Sequence, residues 1–272
     1  MSVINDSTTD QVPRRTDQRV FDAMQPYLTD RFGNAASLNH SFGWAAQDAC
    51  DYAREQIAGA IHARAAREII FTSGGDESNI LSIKGVAAAY AGNGNHIITT
   101  TRAHTSILET CCTLEDEGYI ITRLEADETG CPGPTDLQAA LTDRTFLVTL
   151  SLEPDGDDIK TLITAIGQLA KETDVLLHAD VTHALEYHAI DVQESGIDLL
   201  SIDGNGIGGP PGIGALYVRG RKPGVRLTPL IDGGGQEQGR RSGTLNVPGI
   251  VGLGAACALC RENRNASCLI ER

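Results

Sequence analysis

Short apolar runs alternate with amphipathic stretches along most of the chain, and this alternation restricts the possible folds more than any other feature of the sequence. The runs are apolar throughout, as burial on both faces of a sheet requires, and the stretches between them have helical periodicity. Strands that alternate with helices form βαβ units with parallel strands. The sequence therefore predicts an α/β protein, a three-layer α/β/α sandwich with a mainly parallel sheet. The predicted strands lie at 68–72, 96–100, 119–124, 146–150, 175–179 and 199–202.

Charge and cysteine content narrow the functional classes. The formal net charge of −14 argues against a nucleic-acid partner and against an anionic membrane surface. No apolar run is long enough to cross a bilayer, and the amino terminus has neither the basic start nor the apolar stretch of a signal peptide. The 7 cysteines are an odd number scattered through the chain, which is typical of reduced thiols. We therefore expect a cytoplasmic protein.

A glycine-rich turn joins the strand at 199–202 to a second apolar run at 214–218, and on its own it predicts a hairpin loop. The turn also resembles the segment of cysteine desulfurases, and of other enzymes with the class V aminotransferase fold, that carries the lysine bonded to pyridoxal phosphate (PLP). That segment reads Ser-Gly-His-Lys in the family and Asp203-Gly204-Asn205-Gly206 here. The position of the family's lysine is therefore Gly206.

Four further segments carry the same resemblance. Residues 72–79 match the family's Thr-Ser-Gly-Ala-Thr-Glu-Ser-Asn, and residues 102–106 keep its histidine. Residues 178–183 match His-x-Asp-Ala-x-Gln, and residues 233–247 match a glycine-rich motif that contains Arg-Ser-Gly-Thr. The resemblance covers nearly all of the chain. It implies the large domain of the fold-type I PLP-dependent transferases.

The resemblance also implies roles for the pocket residues. His104 would stack on the PLP ring and work in proton transfer, and Asp180 would pair with the pyridinium nitrogen, which makes the ring an electron sink. His183 stands where the family has a glutamine that touches the phenolic oxygen. These three belong to the ancestral pocket, and the sequence assigns no catalytic residue of this chain. The whole ancestral PLP pocket comprises Gly75, Asp76, His104, Asp155, Asp180, His183, Asp203, Asn205, Gly206 and Thr244.

Several positions of this pocket depart from the family. Asp76 and Asp203 stand where the family has a threonine and a serine that bind the phosphate, and carboxylates beside a phosphate repel it in a low-dielectric pocket. Asp76 could instead simply be the N-cap of the following helix. Asp155 replaces an asparagine that helps to hold the ring oxygen, and Thr244 matches a residue donated across the family's dimer. With no amine at Gly206, we expect no cofactor, with PLP bound only if another group compensates.

Three functions are compatible with these substitutions, because a fold does not determine an activity. The first is a cysteine desulfurase-like pseudoenzyme that has lost PLP binding and desulfurase activity. It would persist as a homodimeric scaffold for sulfur-transfer or iron–sulfur assembly proteins. The second is a divalent-metal site that activates water for hydrolysis, with Asp76, Asp180, His183 and Asp203 as ligands. The third is residual PLP-dependent transferase activity.

The resemblance divides the chain into three parts. Residues 1–30 form an N-terminal segment, residues 31–248 the large α/β domain, and residues 249–272 begin the helix that leads to the family's small C-terminal domain. That domain carries the sulfur-accepting cysteine and the arginine that binds the substrate carboxylate, and we expect it to be absent. Cys257 and Cys260 form a CxxC pair on that helix, and their spacing favours ordinary packing over a metal or redox role. With Cys268 they could also line an apolar edge that is exposed or covered by a partner.

Overall fold

The computed structural model describes residues 15–153 and 158–270, with the side chains of 265–270 left out. Every helix in these two ranges is too short or too polar to span a lipid bilayer. The α-helices there are α1 (Gln18–Leu28), α2 (Ser41–Ala60), α3 (Gly75–Ala89), α4 (Thr105–Asp116), α5 (Pro134–Ala140), α6 (Ile159–Glu172) and α7 (Val247–Ile270). The strands are β1 (Ile69–Thr72), β2 (His96–Thr100), β3 (Ile120–Leu124), β4 (Thr145–Ser151), β5 (Leu176–Asp180), β6 (Leu199–Asp203) and β7 (Gly214–Val218).

These strands form one sheet in the order β1-β7-β6-β5-β4-β2-β3. Strands β2 to β6 pair in parallel, whereas β7 is antiparallel to both of its neighbours. Strand β1 therefore runs in the same direction as β2 to β6, and the predicted mainly parallel α/β fold is confirmed. The predicted hairpin is confirmed as well, since Leu199 of β6 lies opposite Val218 of β7.

Apolar side chains on both faces of the sheet fill two cores and so create three layers. Along β1, Ile69 lies in one core and Ile70 in the other, as the two-residue period of a strand requires. Helices α2, α6 and α7 line the first core, and α3 and α4 line the second. Cys257 and Cys260 are buried in the first core, where α7 packs along α2. The packing interpretation of the CxxC pair is therefore confirmed, and the alternative of an apolar edge is wrong for these two residues.

A buried ion pair fixes the glycine-rich segment 233–247 to the domain. The carboxylate of Glu237, whose side chain is 2% exposed, accepts hydrogen bonds from the two terminal nitrogens of Arg54 at 2.8 and 2.9 Å. It also accepts the backbone N–H of Phe71 at 2.8 Å, so it reaches the edge strand β1. The guanidinium of Arg54 lies over the Phe71 ring, 4.4 Å from its centroid. One carboxylate thus joins this segment to α2 and β1.

Candidate functional site

The candidate site lies at the edge of the sheet where the parallel strands end. Ligands of open α/β sheets bind at this edge, because the loops that follow the strands converge there. Asp180 and Asp203 are the last residues of β5 and β6, and Gly75 begins α3 just after β1. His104 is the N-cap of α4. Asp155, which the sequence also placed in the pocket, lies outside the described residues.

The carboxylate of Asp180 is buried and held from two sides. Its Oδ2 accepts the Nδ2 hydrogen of Asn79 at 2.7 Å, and its Oδ1 accepts the backbone N–H of Thr182 at 2.9 Å. The same Nδ2 of Asn79 donates to the Ser106 hydroxyl at 3.0 Å. Asn79 therefore orients Asp180, a role that sequence reasoning missed. The available signal was its place at the end of the matched segment 72–79.

The imidazole of His104 is oriented by Ser106. Its Nδ1 accepts the backbone N–H of Ser106 at 3.2 Å and lies 2.8 Å from the Ser106 hydroxyl. A neutral ring in this position carries its proton on Nε2. The ring of His183 lies 6.3 Å away, centroid to centroid. The structure therefore brings His104, His183 and Asp180 to one edge, with Ser106 and Asn79 connecting His104 to Asp180.

Asp76 does not cap α3. The N-cap residue is Gly74, and Asp76 lies in the first helical turn with its side chain 71% exposed. Its Oδ1 is 3.6 Å from the Nδ1 of His104. The backbone N–H of Gly75 instead donates to the Oδ2 of Asp203, at 2.9 Å. A carboxylate from β6 thus occupies the position that the N-cap prediction gave to Asp76.

Backbone atoms leave no room for a side chain at position 206. A Cβ atom on Gly206 would lie 2.3 Å from the carbonyl oxygen of Thr182, a distance that no side chain tolerates without a backbone shift. Asn205 beside it is exposed. Thr244 is exposed as well, in the segment that follows Gly243. The chain therefore lacks an amine at position 206 and also lacks the space for one to begin there.

The predicted metal site is not assembled. Among the described residues, no group of three or more His, Cys, Asp and Glu side chains is placed to hold a metal ion. The four proposed ligands have different surroundings. Asp180 is engaged by Asn79 and Thr182, and Asp203 by backbone N–H groups, while Asp76 is directed to solvent beside His104.

An ion pair closes the first turn of α3. The Nε of Arg241 donates to the Oε1 of Glu77 at 2.8 Å, and a terminal nitrogen of Arg241 donates to Oε2 at 3.2 Å. Burial alone would raise the pKa of Glu77, but the hydrogen bonds from Arg241 and Ser73 hold this pKa below its ordinary value.

A groove of about 390 Å³ opens next to the first turn of α3, between α3 and α4. Its lining includes Lys84, an amine that sequence reasoning did not single out.

Comparison with known proteins identifies the family of this chain. The family model described as "Aminotransferase class-V" matches residues 8–268. The chain belongs to the aminotransferase class-V family. It is 46% identical over 252 residues to "Cysteine desulfurase IscS" of Ehrlichia chaffeensis, covering 93% of this chain and 61% of that protein. The chain therefore spans about three fifths of the length of this curated relative.

Solved structures agree with the class-V assignment. "SspA in complex with cysteine" has a TM-score of 0.81 and 37% identity, covering 90% of this chain and 70% of that one. "NIFS-LIKE PROTEIN" has a TM-score of 0.85 and 29% identity, covering 94% of this chain and 69% of that one. The resemblance to the cysteine desulfurase family, and the fold of the fold-type I PLP-dependent transferases, are thereby confirmed.

The prediction of no cofactor is wrong, because the class-V relatives are cysteine desulfurases, which depend on PLP. The residues at the end of β5 fit the pyridine ring of this coenzyme. Within the described protein, Thr182 Oγ1 and His183 Nδ1 are buried without a hydrogen-bond partner, as at a site that a polar ligand completes. Asp180 would hold the ring nitrogen, and His104 would lie beside the ring. PLP would supply an electron sink there, and position 206 offers no amine that could bond to it.

Proposed function

We propose that this class-V chain is a cysteine desulfurase-like component of sulfur transfer and iron–sulfur assembly. In this proposal it acts as a homodimeric scaffold for partner proteins. It holds the coenzyme ring non-covalently at Asp180, and it does not itself release sulfur from cysteine through a lysine at position 206. The observation that carries the proposal is the backbone closure at Gly206, where a Cβ would lie 2.3 Å from the carbonyl oxygen of Thr182.

The purified chain, incubated with L-cysteine, PLP and a thiol reductant, is expected to release no sulfide above a protein-free control. Gly206→Lys is expected not to restore release, because the new side chain would meet backbone rather than open space. A lysine-containing relative assayed in parallel shows that the assay works. Sulfide release by the unaltered chain would contradict the proposal.

Four large apolar side chains near the start of α2 are 50–65% exposed: Phe32, Leu38, Phe42 and Trp44. The rings of Phe32 and Phe42 stack with centroids 5.2 Å apart, so the cluster is a preformed apolar surface. Exposed apolar clusters of this kind typically mark interaction sites. Aromatic anchors dominate interface energies, and we therefore expect Phe42→Ser with Trp44→Ser to weaken self-association at least tenfold.

Sedimentation equilibrium measures this association directly. The matched control is Tyr187→Ser, which removes an aromatic side chain that is 59% exposed and lies outside the cluster. The control should associate like the unaltered chain. A monomeric unaltered chain at micromolar concentration, or equal weakening by Tyr187→Ser, would argue against this surface.

A further inference from the structure

The side chain of Asp203 behaves as a bound anion at the N-terminus of α3. Its Oδ2 accepts the backbone N–H of Gly75 at 2.9 Å. Its Oδ1 accepts the backbone N–H groups of Asn205 at 2.7 Å and Gly206 at 3.3 Å. Gly74, the N-cap residue, has no side chain that could take this role. A single carboxylate therefore receives N–H groups from two separate segments of the chain.

These N–H groups form an anion cradle. The first turn of a helix has free N–H groups and the positive end of the helix dipole, which together favour an oxyanion. The cradle is also narrow. A Cβ atom at Gly75 would lie 2.9 Å from Thr182 Oγ1 and 3.3 Å from the Cβ of Asp203. The Oγ1 of Thr182 is buried without a partner in the described protein, so the cradle has one more hydroxyl than Asp203 uses.

We propose that Asp203 is an internal anion that keeps this cradle closed, so that an external phosphate group enters only when the Asp203 side chain leaves. The carboxylate satisfies the same N–H groups that a phosphate would need, and two anions cannot share them because like charges repel at contact distance. Asp203 therefore determines which ligands the site accepts. As it stands, the site gains no affinity from a ligand's phosphate group, and the inference rests on the coenzyme site proposed above.

The test uses inorganic phosphate as the probe, measured by titration calorimetry. Asp203→Ser is expected to bind phosphate at least tenfold more tightly than the unaltered chain. The matched control is Asp76→Ser, which removes an exposed carboxylate from the same helical turn without opening the cradle. It should change phosphate affinity less than threefold. Equal gains from the two substitutions, or no gain from Asp203→Ser, would overturn the proposal.

A second variant separates occupancy from charge. Asp203→Asn keeps the shape of the side chain and one acceptor oxygen, so the cradle stays filled and phosphate should gain less than in Asp203→Ser. Equal gains in the two variants would show that only the charge of Asp203 matters, and would overturn the proposal that phosphate must displace its side chain.

A paired titration with pyridoxal and PLP extends the test. The unaltered chain should bind the two within threefold, and Asp203→Ser should prefer PLP at least tenfold. The titration with inorganic phosphate does not involve the coenzyme. Its result therefore tests the role of Asp203 even if the proposed coenzyme site is wrong.

Discussion

Replacing Glu237 by alanine is expected to lower the free energy of unfolding by about 3–5 kcal/mol, the cost of breaking a buried ion pair at one partner. The substitution leaves the guanidinium of Arg54, only 11% exposed, with the carbonyl oxygen of Ile69 as an acceptor and the exposed Asp51, 3.9 Å away, as its remaining carboxylate. It also leaves the buried N–H of Phe71 without the acceptor that Glu237 supplies. Urea unfolding followed by circular dichroism measures the loss.

Two controls identify the mechanism. Gln238→Ala changes the neighbouring exposed residue, whose side chain donates one hydrogen bond to Arg67, and should cost less than about 1 kcal/mol. The double variant Arg54→Leu with Glu237→Leu removes both charges. It should be more stable than Glu237→Ala, because no buried charge is left unpaired. If the double variant is the less stable of the two, the unpaired charge is not the cause of the loss.

The sheet was predictable because burial on both faces leaves a strong sequence signal. Strand β2 has the predicted bounds, His96–Thr100, and β1 begins one residue later than predicted, at Ile69. Each of these strands is a short run rich in β-branched residues that ends at a threonine, so local sequence alone delimits it. The hairpin of β6 and β7 followed from two such runs on either side of a glycine-rich turn.

The contacts that define the site were less predictable, because they join residues far apart in sequence. Asp203 and Gly75 are 128 positions apart, and Glu237 and Arg54 are 183 apart. Local cap preferences assigned the start of α3 to Asp76, because no local rule can bring in a carboxylate from another strand. The prediction of no cofactor was wrong because it relied on single substitutions in the pocket. The family match, in contrast, takes in residues 8–268 together.

Stability is expected to fall as the pH drops from about 6.5 toward 4, and His178 is the main reason. Burial lowers the pKa of this imidazole from 6.5 to about 4. Its Nδ1 lies 2.7 Å from the Thr149 hydroxyl, and its Nε2 lies 2.9 Å from the Ser201 hydroxyl, in a polar ladder across β4, β5 and β6. Burial also lowers the pKa of His96, which acts in the same direction.

Proton linkage determines whether the unfolding free energy rises or falls with pH. Between pH 4 and 6.5 the unfolded chain protonates this imidazole and the folded chain does not, so acid favours unfolding and stability rises with pH. The pKa shift of His178 corresponds to a loss of unfolding free energy of about 2 kcal/mol by pH 5 and about 3 kcal/mol by pH 4.

His178→Gln removes the titrating group, so the difference in unfolding free energy between the variant and the unaltered chain should shrink by about 2 kcal/mol from pH 7 to pH 5. Ser201→Ala disturbs the same ladder but keeps the imidazole, and it should therefore lower stability while retaining the pH slope. A slope that is unchanged in His178→Gln would assign the acid sensitivity to other groups.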